Sequence, residues 1–448
     1  MRDKLQKVWQ LFSLLFDSVE AYVKQQSAKR CSENWERFYP TDASKEDLAQ
    51  RRMARFGSFR LCRVPRVAQI AIFFVIMMLA ISTANRAQTQ QSTKPTGSEP
   101  VPEAAIPAIL AAFDKYEVVA MPEDHGLKDL DDFIFALIRN PAFPDKVNDV
   151  VVECGNSLYQ PLLDRYIAGE DVPLMEARKV WRIPPLCSGW GSGFFEQLYP
   201  LLRAINQKLP PQKRLRVLTG GLPIDPEKVK SFEDILKLGP RDAHIASIME
   251  KEVLSKHRKA LVLFGTFHLL HMSEVRASAV SRYEKDYPDV TFVISELTGS
   301  DAEVWAAFAN WPNPSIARAK GTWVGALDLG HFLPPPTLID QDCNVHNDFP
   351  KHLQKPMEDL VDAFLYLGPK DLALKEQFPA YIVLDAEYMA EVRRREGGGS
   401  QTVKEFNQQF VDDAENPLFT LPKPPDPKEV QANVQSCLDR KSRSKTPQ

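Results

Sequence analysis

The sequence predicts an α/β fold: a single domain with a doubly wound, mostly parallel sheet and helices on both faces. Two observations lead to this prediction. Short, almost continuously apolar runs recur along the chain, as is typical of parallel strands that are covered on both faces. Helix-like segments separate these runs, and strand–helix–strand repetition produces right-handed crossovers within one open sheet. The chain has 448 residues, 44% of them hydrophobic, which is enough to bury such a core.

The candidate elements follow in chain order. The strands are predicted where β-branched and other apolar residues cluster: Tyr116–Met121, Asp149–Glu153, Leu215–Thr219, Ala260–Gly265, Val290–Glu296 and Ala363–Gly368. The helices are predicted between them: Leu127–Arg139, Leu158–Ala168, Phe194–Lys208, Arg241–Lys256 and Glu274–Asp286. We expect the first four strands to be parallel neighbours in one sheet.

An export signal is predicted ahead of the domain. Ile70–Ile81 is a run of twelve apolar residues, which is the length of a signal-peptide core and shorter than a membrane-spanning helix. Four arginines and no acidic residue lie between positions 55 and 66, and Ser82-Thr83-Ala84 offers small residues for cleavage after Ala84. Residues 53–84 therefore fit a signal peptide, with a membrane anchor over residues 67–84 as the alternative.

The remaining segments complete the predicted organisation. Residues 1–52 contain an amphipathic helix and precede the signal, so we interpret them as a non-native N-terminal extension. Residues 85–103 are a polar linker, 104–421 form the α/β domain, and the Pro-rich, charged residues 422–448 form a flexible tail. The mature protein is expected to begin near Asn85 and to be secreted or periplasmic.

The charge balance and the cysteines limit the partners and the compartment. With 56 Lys and Arg against 59 Asp and Glu, the net charge is −3, which gives no bulk affinity for nucleic acid or for anionic membranes. The expected partner is a small-molecule substrate, and the oligomeric state is left open. Export permits disulfides among Cys154, Cys187, Cys343 and Cys437, but the sequence does not determine how they pair.

Titratable side chains follow three of the predicted strands. Glu123 and His125 come directly after the first strand, Glu153 ends the second, and His268 follows the fourth. Ligands of open parallel sheets bind beyond the carboxyl ends of the strands. We therefore expect these four side chains to lie within about 8 Å of a common centre and to form a catalytic site.

Other residues are secondary candidates. Asp225 follows the third strand, and Arg241 and His244 lie at the start of a predicted helix, so these three are predicted to bind substrate. His271 shares a face with His268 if that segment is helical. The sequence contains no G-x-S-x-G, H-E-x-x-H or Walker A motif, which removes the basis for a serine hydrolase with a nucleophile elbow, a zincin or a P-loop kinase.

A series of short segments carries a family resemblance. They are VVAMPEDHG, VVVECGN with YQPLLDRY, RDAH, KALVLFGTFHLLH, GTWVGALD and DAFLYLGPKDL. Together they resemble the erythromycin-esterase-like and ChaN-like superfamily, which includes Tiki/TraB-type proteins, over about residues 104–395. The resemblance is closest to an exported branch. It implies a doubly wound α/β core whose functional residues match Glu123, His125, Glu153 and His268.

The resemblance implies three functions. In the first, which we prefer, the protein is an exported hydrolase in which His125 is the general base that activates water and Glu123 orients the His125 ring. Glu153 then holds the water or stabilises charge, and His268 polarises the carbonyl or protonates the leaving group. No cofactor is required. The second is a metal-dependent hydrolase or protease, with these four residues and His271 as ligands. The third is a haem- or ligand-binding protein without turnover.

Overall fold

The structure is a computed structural model that describes residues 97–123, 126–182, 192–229, 234–235, 237–271, 278–297, 302–333, 337–339, 342–349, 353–376, 385–386, 390, 415–419 and 426–443. The predicted extension, signal peptide and cleavage site, together with most of the linker, lie outside the described residues. His125 also lies outside them.

An eight-stranded sheet forms the centre of the domain. Its strands are β1 Glu103–Ala104, β2 Val118–Pro122, β3 Asp149–Asn156, β4 Arg216–Gly221, β5 Ala260–Phe264, β6 Thr291–Glu296, β7 Ser315–Arg318 and β10 Ala363–Tyr366, while β8 Leu338–Ile339 and β9 Val345–His346 form a separate antiparallel pair. The strand order in the sheet is β1-β7-β10-β6-β2-β5-β3-β4. The six strands from β10 to β4 in this order pair in parallel, and β7 pairs antiparallel with β10 and with β1.

The predicted fold class is confirmed. All six predicted strands form, and the first four are consecutive parallel neighbours in the order β2-β5-β3-β4. β5 therefore lies between β2 and β3, although it comes after β3 and β4 in the sequence. As a result the carboxyl end of β5 lies between those of β2 and β3.

Helices cover both faces of the sheet. They are α1 Ala105–Ala112, α2 Lys128–Arg139, α3 Phe143–Lys146, α4 Gln160–Ala168, α5 Leu174–Ala177, α6 Ser192–Asn206, α7 Arg241–Ile248, α8 Ala279–Tyr283, α9 Ala302–Phe308 and α10 Pro427–Arg443. Successive residues of β2 enter opposite cores: Val119 joins the core that contains Ile134 of α2, and Ala120 joins the core that contains Ile245 of α7. A fully buried Val or Ile side chain contributes about 1.5–3 kcal/mol, and such side chains are present in both cores, so both faces stabilise the sheet.

The amino ends of the central strands are closed by a buried ion cluster. Asp149 at the start of β3 is fully buried, and its carboxylate accepts hydrogen bonds from Arg216 of β4 and from Arg258, each at 2.7 Å. Two guanidinium groups around one carboxylate compensate for its lost hydration. This ion cluster holds the amino ends of the strands together, and the predicted site lies at their opposite, carboxyl ends.

Part of the predicted linker is ordered against the domain. Ser98 bridges to Thr322, and the Glu99 carboxylate accepts a hydrogen bond from the Trp323 indole N–H at 2.8 Å. Glu103 begins strand β1, which pairs with β7. Residues 97–103 were predicted to be a linker because of their polar composition, but their polar groups make backbone and side-chain hydrogen bonds to the domain.

The C-terminal segment also differs from the flexible tail expected from its composition. Pro427–Arg443 form helix α10, and a disulfide joins Cys437 of that helix to Cys343. Within the described residues, no helix combines the length and the apolar character needed to cross a membrane.

Candidate active site

His268 lies at the carboxyl end of the central strand, between two carboxylates. β5 ends at Phe264, and a short 3-10 turn, Thr266–His268, carries the imidazole beyond the edge of the sheet. Its Nδ1 lies 2.6 Å from Oδ1 of Asp242, and its Nε2 lies 3.6 Å from Oε1 of Glu153. The His268 side chain remains 22% exposed, so it is accessible from outside.

Glu153 is the buried member of this group. Its side chain is 5% exposed, a position in which an uncompensated charge would be strongly unfavourable. Oε2 accepts a hydrogen bond from the backbone N–H of Gly265 at 2.6 Å, and Oε1 accepts one from the Arg241 guanidinium. A Cβ at Gly265 would lie 3.3 Å from Oε2, so glycine allows this close approach of backbone and carboxylate.

The first turn of α7 supplies the remaining polar groups. Arg241 contacts Glu153, Asp242 contacts His268, and His244 contacts Ser157. Asp242 was not predicted as a site residue, because an acidic residue at a helix start commonly interacts only with the helix dipole. The available signal was the tetrapeptide RDAH, which places an acid between two predicted site residues.

Ser157 and His244 form a second polar pair at the same edge. The Ser157 Oγ lies 3.1 Å from the His244 Nε2, and both residues are half-buried. Burial lowers the pKa of His244, against the opposing effect of a hydrogen bond to the backbone of Gly221. The sequence predicted His244 as a site residue but did not predict Ser157.

Glu123 lies across β5 from Glu153. Its backbone N–H donates to the Phe264 carbonyl at 2.9 Å, so it contacts the end of β5 on the β2 side, and it is 1% exposed. Nearby Asp131 of α2 is also buried. Burial, together with the negative charges of Glu376 and Glu123, raises the pKa of Asp131 to about 10, so this carboxyl is neutral at pH 7.

Two predicted residues make contacts elsewhere. The Asp225 carboxylate accepts from the backbone N–H of Glu227 and pairs with Lys228, each at 2.9 Å, so it closes a local turn. His271 is held by carboxylates on either side of its ring, with Nδ1 2.9 Å from Glu284 and Nε2 3.1 Å from Asp362. The structure does not bring these residues to the Glu153–His268 pair.

The described geometry thus joins Glu153, His268 and Arg241, and it places Glu123 on the other side of β5. Among the described residues, no three His, Cys, Asp or Glu side chains are grouped as the ligands of a metal ion. The arrangement offers an imidazole, a guanidinium and carboxylate acceptors beside one another. These groups are suited to proton transfer and to the stabilisation of a developing negative charge.

Comparison with known proteins finds similarity to solved structures. Neither the protein-family models nor the curated proteins match the chain. A succinoglycan biosynthesis protein has 9% identity and a TM-score of 0.41, covering 63% of this chain and 97% of its own. The erythromycin esterase EreC in its open conformation has 10% identity and a TM-score of 0.39, covering 61% and 94%. ChaN of Campylobacter jejuni, solved with cofacially bound haem, has 15% identity and a TM-score of 0.30, covering 43% and 86%.

Proposed function

We propose that the protein is an exported hydrolase that cleaves ester or related acyl bonds of a small-molecule substrate. One observation carries the proposal: the His268 imidazole lies 2.6 Å from Asp242 and 3.6 Å from Glu153, at the carboxyl edge of a parallel sheet. An imidazole that is held by a carboxylate and stays partly exposed is the arrangement that general acid–base catalysis uses.

The Asp242 contact sets the protonation of the ring. An ionised carboxylate accepts hydrogen bonds and donates none, so the Nδ1 of His268 carries the proton in this contact. The Nε2 is then the nitrogen beside Glu153, at 3.6 Å from its Oε1. It donates a proton to a leaving group when the ring is charged, and it accepts one from water when the ring is neutral.

Arg241 supplies the positive charge. Its contact with Glu153 fixes the guanidinium, and the Arg241 side chain stays 33% exposed. Attack on an acyl carbon places negative charge on the carbonyl oxygen, and a fixed cation next to that oxygen lowers the barrier. The roles of His125 as the base toward water and of Glu123 as its orienting group remain predictions.

The contacts of Glu153 favour a reaction without a metal ion. Both oxygens of this carboxylate accept hydrogen bonds from N–H donors, one of them on the Arg241 cation. A metal ion at Glu153 would compete with these donors for the carboxylate oxygens and would be repelled by the guanidinium. Glu153 and Arg241 therefore do not fit a metal centre, and no step is assigned to a metal.

The disulfides support export. Cys343 is bonded to Cys437, and Cys154 is disulfide-bonded as well. Disulfides form and persist in oxidising compartments such as the periplasm and the exterior of the cell. A protein that is stabilised by such bonds is expected to act there.

Hydrolysis of p-nitrophenyl esters by the purified full chain tests the proposal. We expect His268→Gln to lower kcat/KM by about 10²–10⁴, because it removes the proton-transferring group. His331→Gln is the matched control, since His331 is an exposed histidine whose Nδ1 lies 3.2 Å from Asp328.

Three results would contradict the proposal. One is full activity in His268→Gln. Another is loss of activity in a chelator with recovery in a divalent cation, which would establish the metal-dependent hydrolase. The third is a Soret band on titration with haem in a protein that hydrolyses no ester, which would establish the binding protein.

A further inference from the structure

A serine hydroxyl lies within hydrogen-bond distance of a histidine beside the candidate site. The Ser157 Oγ is 3.1 Å from the His244 Nε2. We propose that Ser157 is a nucleophile that accepts the acyl group of the substrate, with His244 as its general base. This inference rests on the proposed function, and it adds a covalent acyl-enzyme to it.

The pair has the geometry that an activated nucleophile requires. A hydroxyl is a weak nucleophile until a neighbouring base within about 3 Å removes its proton as it attacks. Burial lowers the pKa of His244 below its ordinary value of 6.5, so at pH 7 the neutral ring prevails and its free nitrogen is able to accept that proton.

The main chain around Ser157 is fixed by its neighbours. The Asn156 side chain is buried and hydrogen bonds to both the N–H and the carbonyl of Ile224, at 3.0 and 2.6 Å, and it also accepts from the N–H of Leu158 at 3.0 Å. Ser157 therefore lies between Asn156 and Leu158, whose positions at the end of β3 are fixed by these hydrogen bonds. Asn156 acts as a positioning residue.

The ring of His244 is fixed from the adjacent strand. A hydrogen bond joins it to the backbone of Gly221, the last residue of β4. A Cβ at Gly221 would collide with the carbonyl oxygen of Gly155, so the ends of β3 and β4 approach as closely as glycine permits. The nucleophile and its base are thus positioned by neighbouring strands of the rigid sheet.

The pair lies next to the Arg241–Glu153 contact. Arg241 and His244 are three residues apart in α7 and therefore neighbours on its surface, while their partners Glu153 and Ser157 are four residues apart at the end of β3. Helix α7 therefore crosses the end of β3 with both contacts side by side.

The reaction balances without any further reagent. The Ser157 oxygen forms a bond to the acyl carbon while its proton passes to His244, and the bond to the alcohol oxygen breaks as that proton passes to the leaving alcohol. Water then attacks the acyl-serine and passes a proton to His244, which returns it to the Ser157 oxygen as the bond to the acyl carbon breaks and the acid is released. The products are one alcohol and one carboxylic acid, as in direct hydrolysis.

A fluorophosphonate probe tests the nucleophile independently of turnover, because an activated serine displaces fluoride and keeps the phosphonyl group. We expect one equivalent on the full chain by intact mass, mapped to the peptide that contains Ser157. Ser157→Ala should abolish labelling, and His244→Gln should slow it by about 10²–10⁴. Ser98→Ala is the matched control, since Ser98 is exposed and donates to a backbone carbonyl instead of contacting a histidine.

Ser157→Cys provides a second test in case the alanine variant does not fold. Iodoacetamide should alkylate the introduced thiol faster in Ser157→Cys than in the double variant Ser157→Cys/His244→Gln. His268→Gln should still be labelled at Ser157. Absence of labelling in the wild type, or equal labelling of Ser157→Ala, overturns the inference. If the protein still hydrolyses esters in that case, the proposed hydrolase stands and water attacks the substrate directly. Labelling of Ser157 in a protein that hydrolyses no ester overturns the proposed function instead.

Discussion

Substitution of His271 by glutamine should destabilise the protein most at acidic and neutral pH, and progressively less as the pH approaches 10. Burial lowers the pKa of His271, but hydrogen bonds to Asp362 and Glu284 outweigh that effect and raise the pKa to about 9. The ring is therefore protonated at pH 7 and forms ion pairs with Glu284, at 2.9 Å, and with Asp362, at 3.1 Å.

The magnitude follows from this pKa. The ordinary value is 6.5, and a difference of one pH unit corresponds to about 1.4 kcal/mol, so the protonated ring contributes about 3 kcal/mol to the free energy of unfolding. Because the pKa is raised in the folded state, the contribution is fully present below pH 6.5. It is lost as the pH rises through about 9.

Urea denaturation at constant ionic strength, followed by tryptophan fluorescence, measures this contribution. The free energy of unfolding of the wild type minus that of His271→Gln should fall by about 3 kcal/mol between pH 6 and pH 10. The same difference for His331→Gln, at an exposed histidine, is the control. A His271→Gln difference that stays constant across this range would refute the assigned ion pairs.

Four further substitutions test the geometry of the site and of the C-terminal helix. Asp242→Asn should lower kcat about 10- to 100-fold, because an amide holds the His268 ring less firmly than a charged carboxylate does; an unchanged kcat would show that Asp242 does not orient the ring. Gly221→Ala should lower the free energy of unfolding by about 1–3 kcal/mol, since its Cβ would collide with a backbone oxygen. Gly265→Ala should lower the free energy of unfolding by less than Gly221→Ala does, because the atom nearest to the added Cβ would lie at 3.3 Å. Thermal denaturation measures both variants, and a larger loss in Gly265→Ala would contradict the packing at the strand ends. Cys437→Ser opens a disulfide across a sequence separation of 94 residues and should lower the free energy of unfolding by about 2–4 kcal/mol, and a stability equal to that of the wild type would contradict the tie between α10 and Cys343.

The parallel part of the sheet was predictable because each strand is apolar on both faces. Burial on two sides requires a continuous hydrophobic run, and that run is visible in the sequence without any long-range information. The antiparallel edge was not predictable in this way. β1 has two residues, and β7, Ser315–Arg318, is short and ends in an exposed arginine, so neither shows a periodic pattern.

The same distinction explains which site residues the sequence identified. Glu153 ends the second strand predicted from the sequence and His268 follows the fourth, so the strand-end rule predicted both at the carboxyl edge, although β3 continues to Asn156. Asp242 contacts a histidine 26 residues away, and Ser157 contacts one 87 residues away. Both contacts depend on how α7 crosses the end of β3, and the sequence around each residue does not encode that crossing.

The two ends of the central strands show why a buried carboxylate alone does not indicate a site. Asp149 at the amino end is surrounded by two guanidinium groups and buried completely, which compensates for its charge and leaves it no role toward a substrate. Glu153 at the carboxyl end is also buried, and the groups that contact it, Arg241 and His268, remain 33% and 22% exposed. The arginines around Asp149, Arg216 and Arg258, are 33% and 29% exposed, so exposure alone does not distinguish the two ends. What distinguishes them is His268, because an imidazole can transfer a proton near neutral pH whereas a guanidinium stays charged. The proposed function requires such a group at the carboxyl end, held by the fold and still able to reach the reacting atoms.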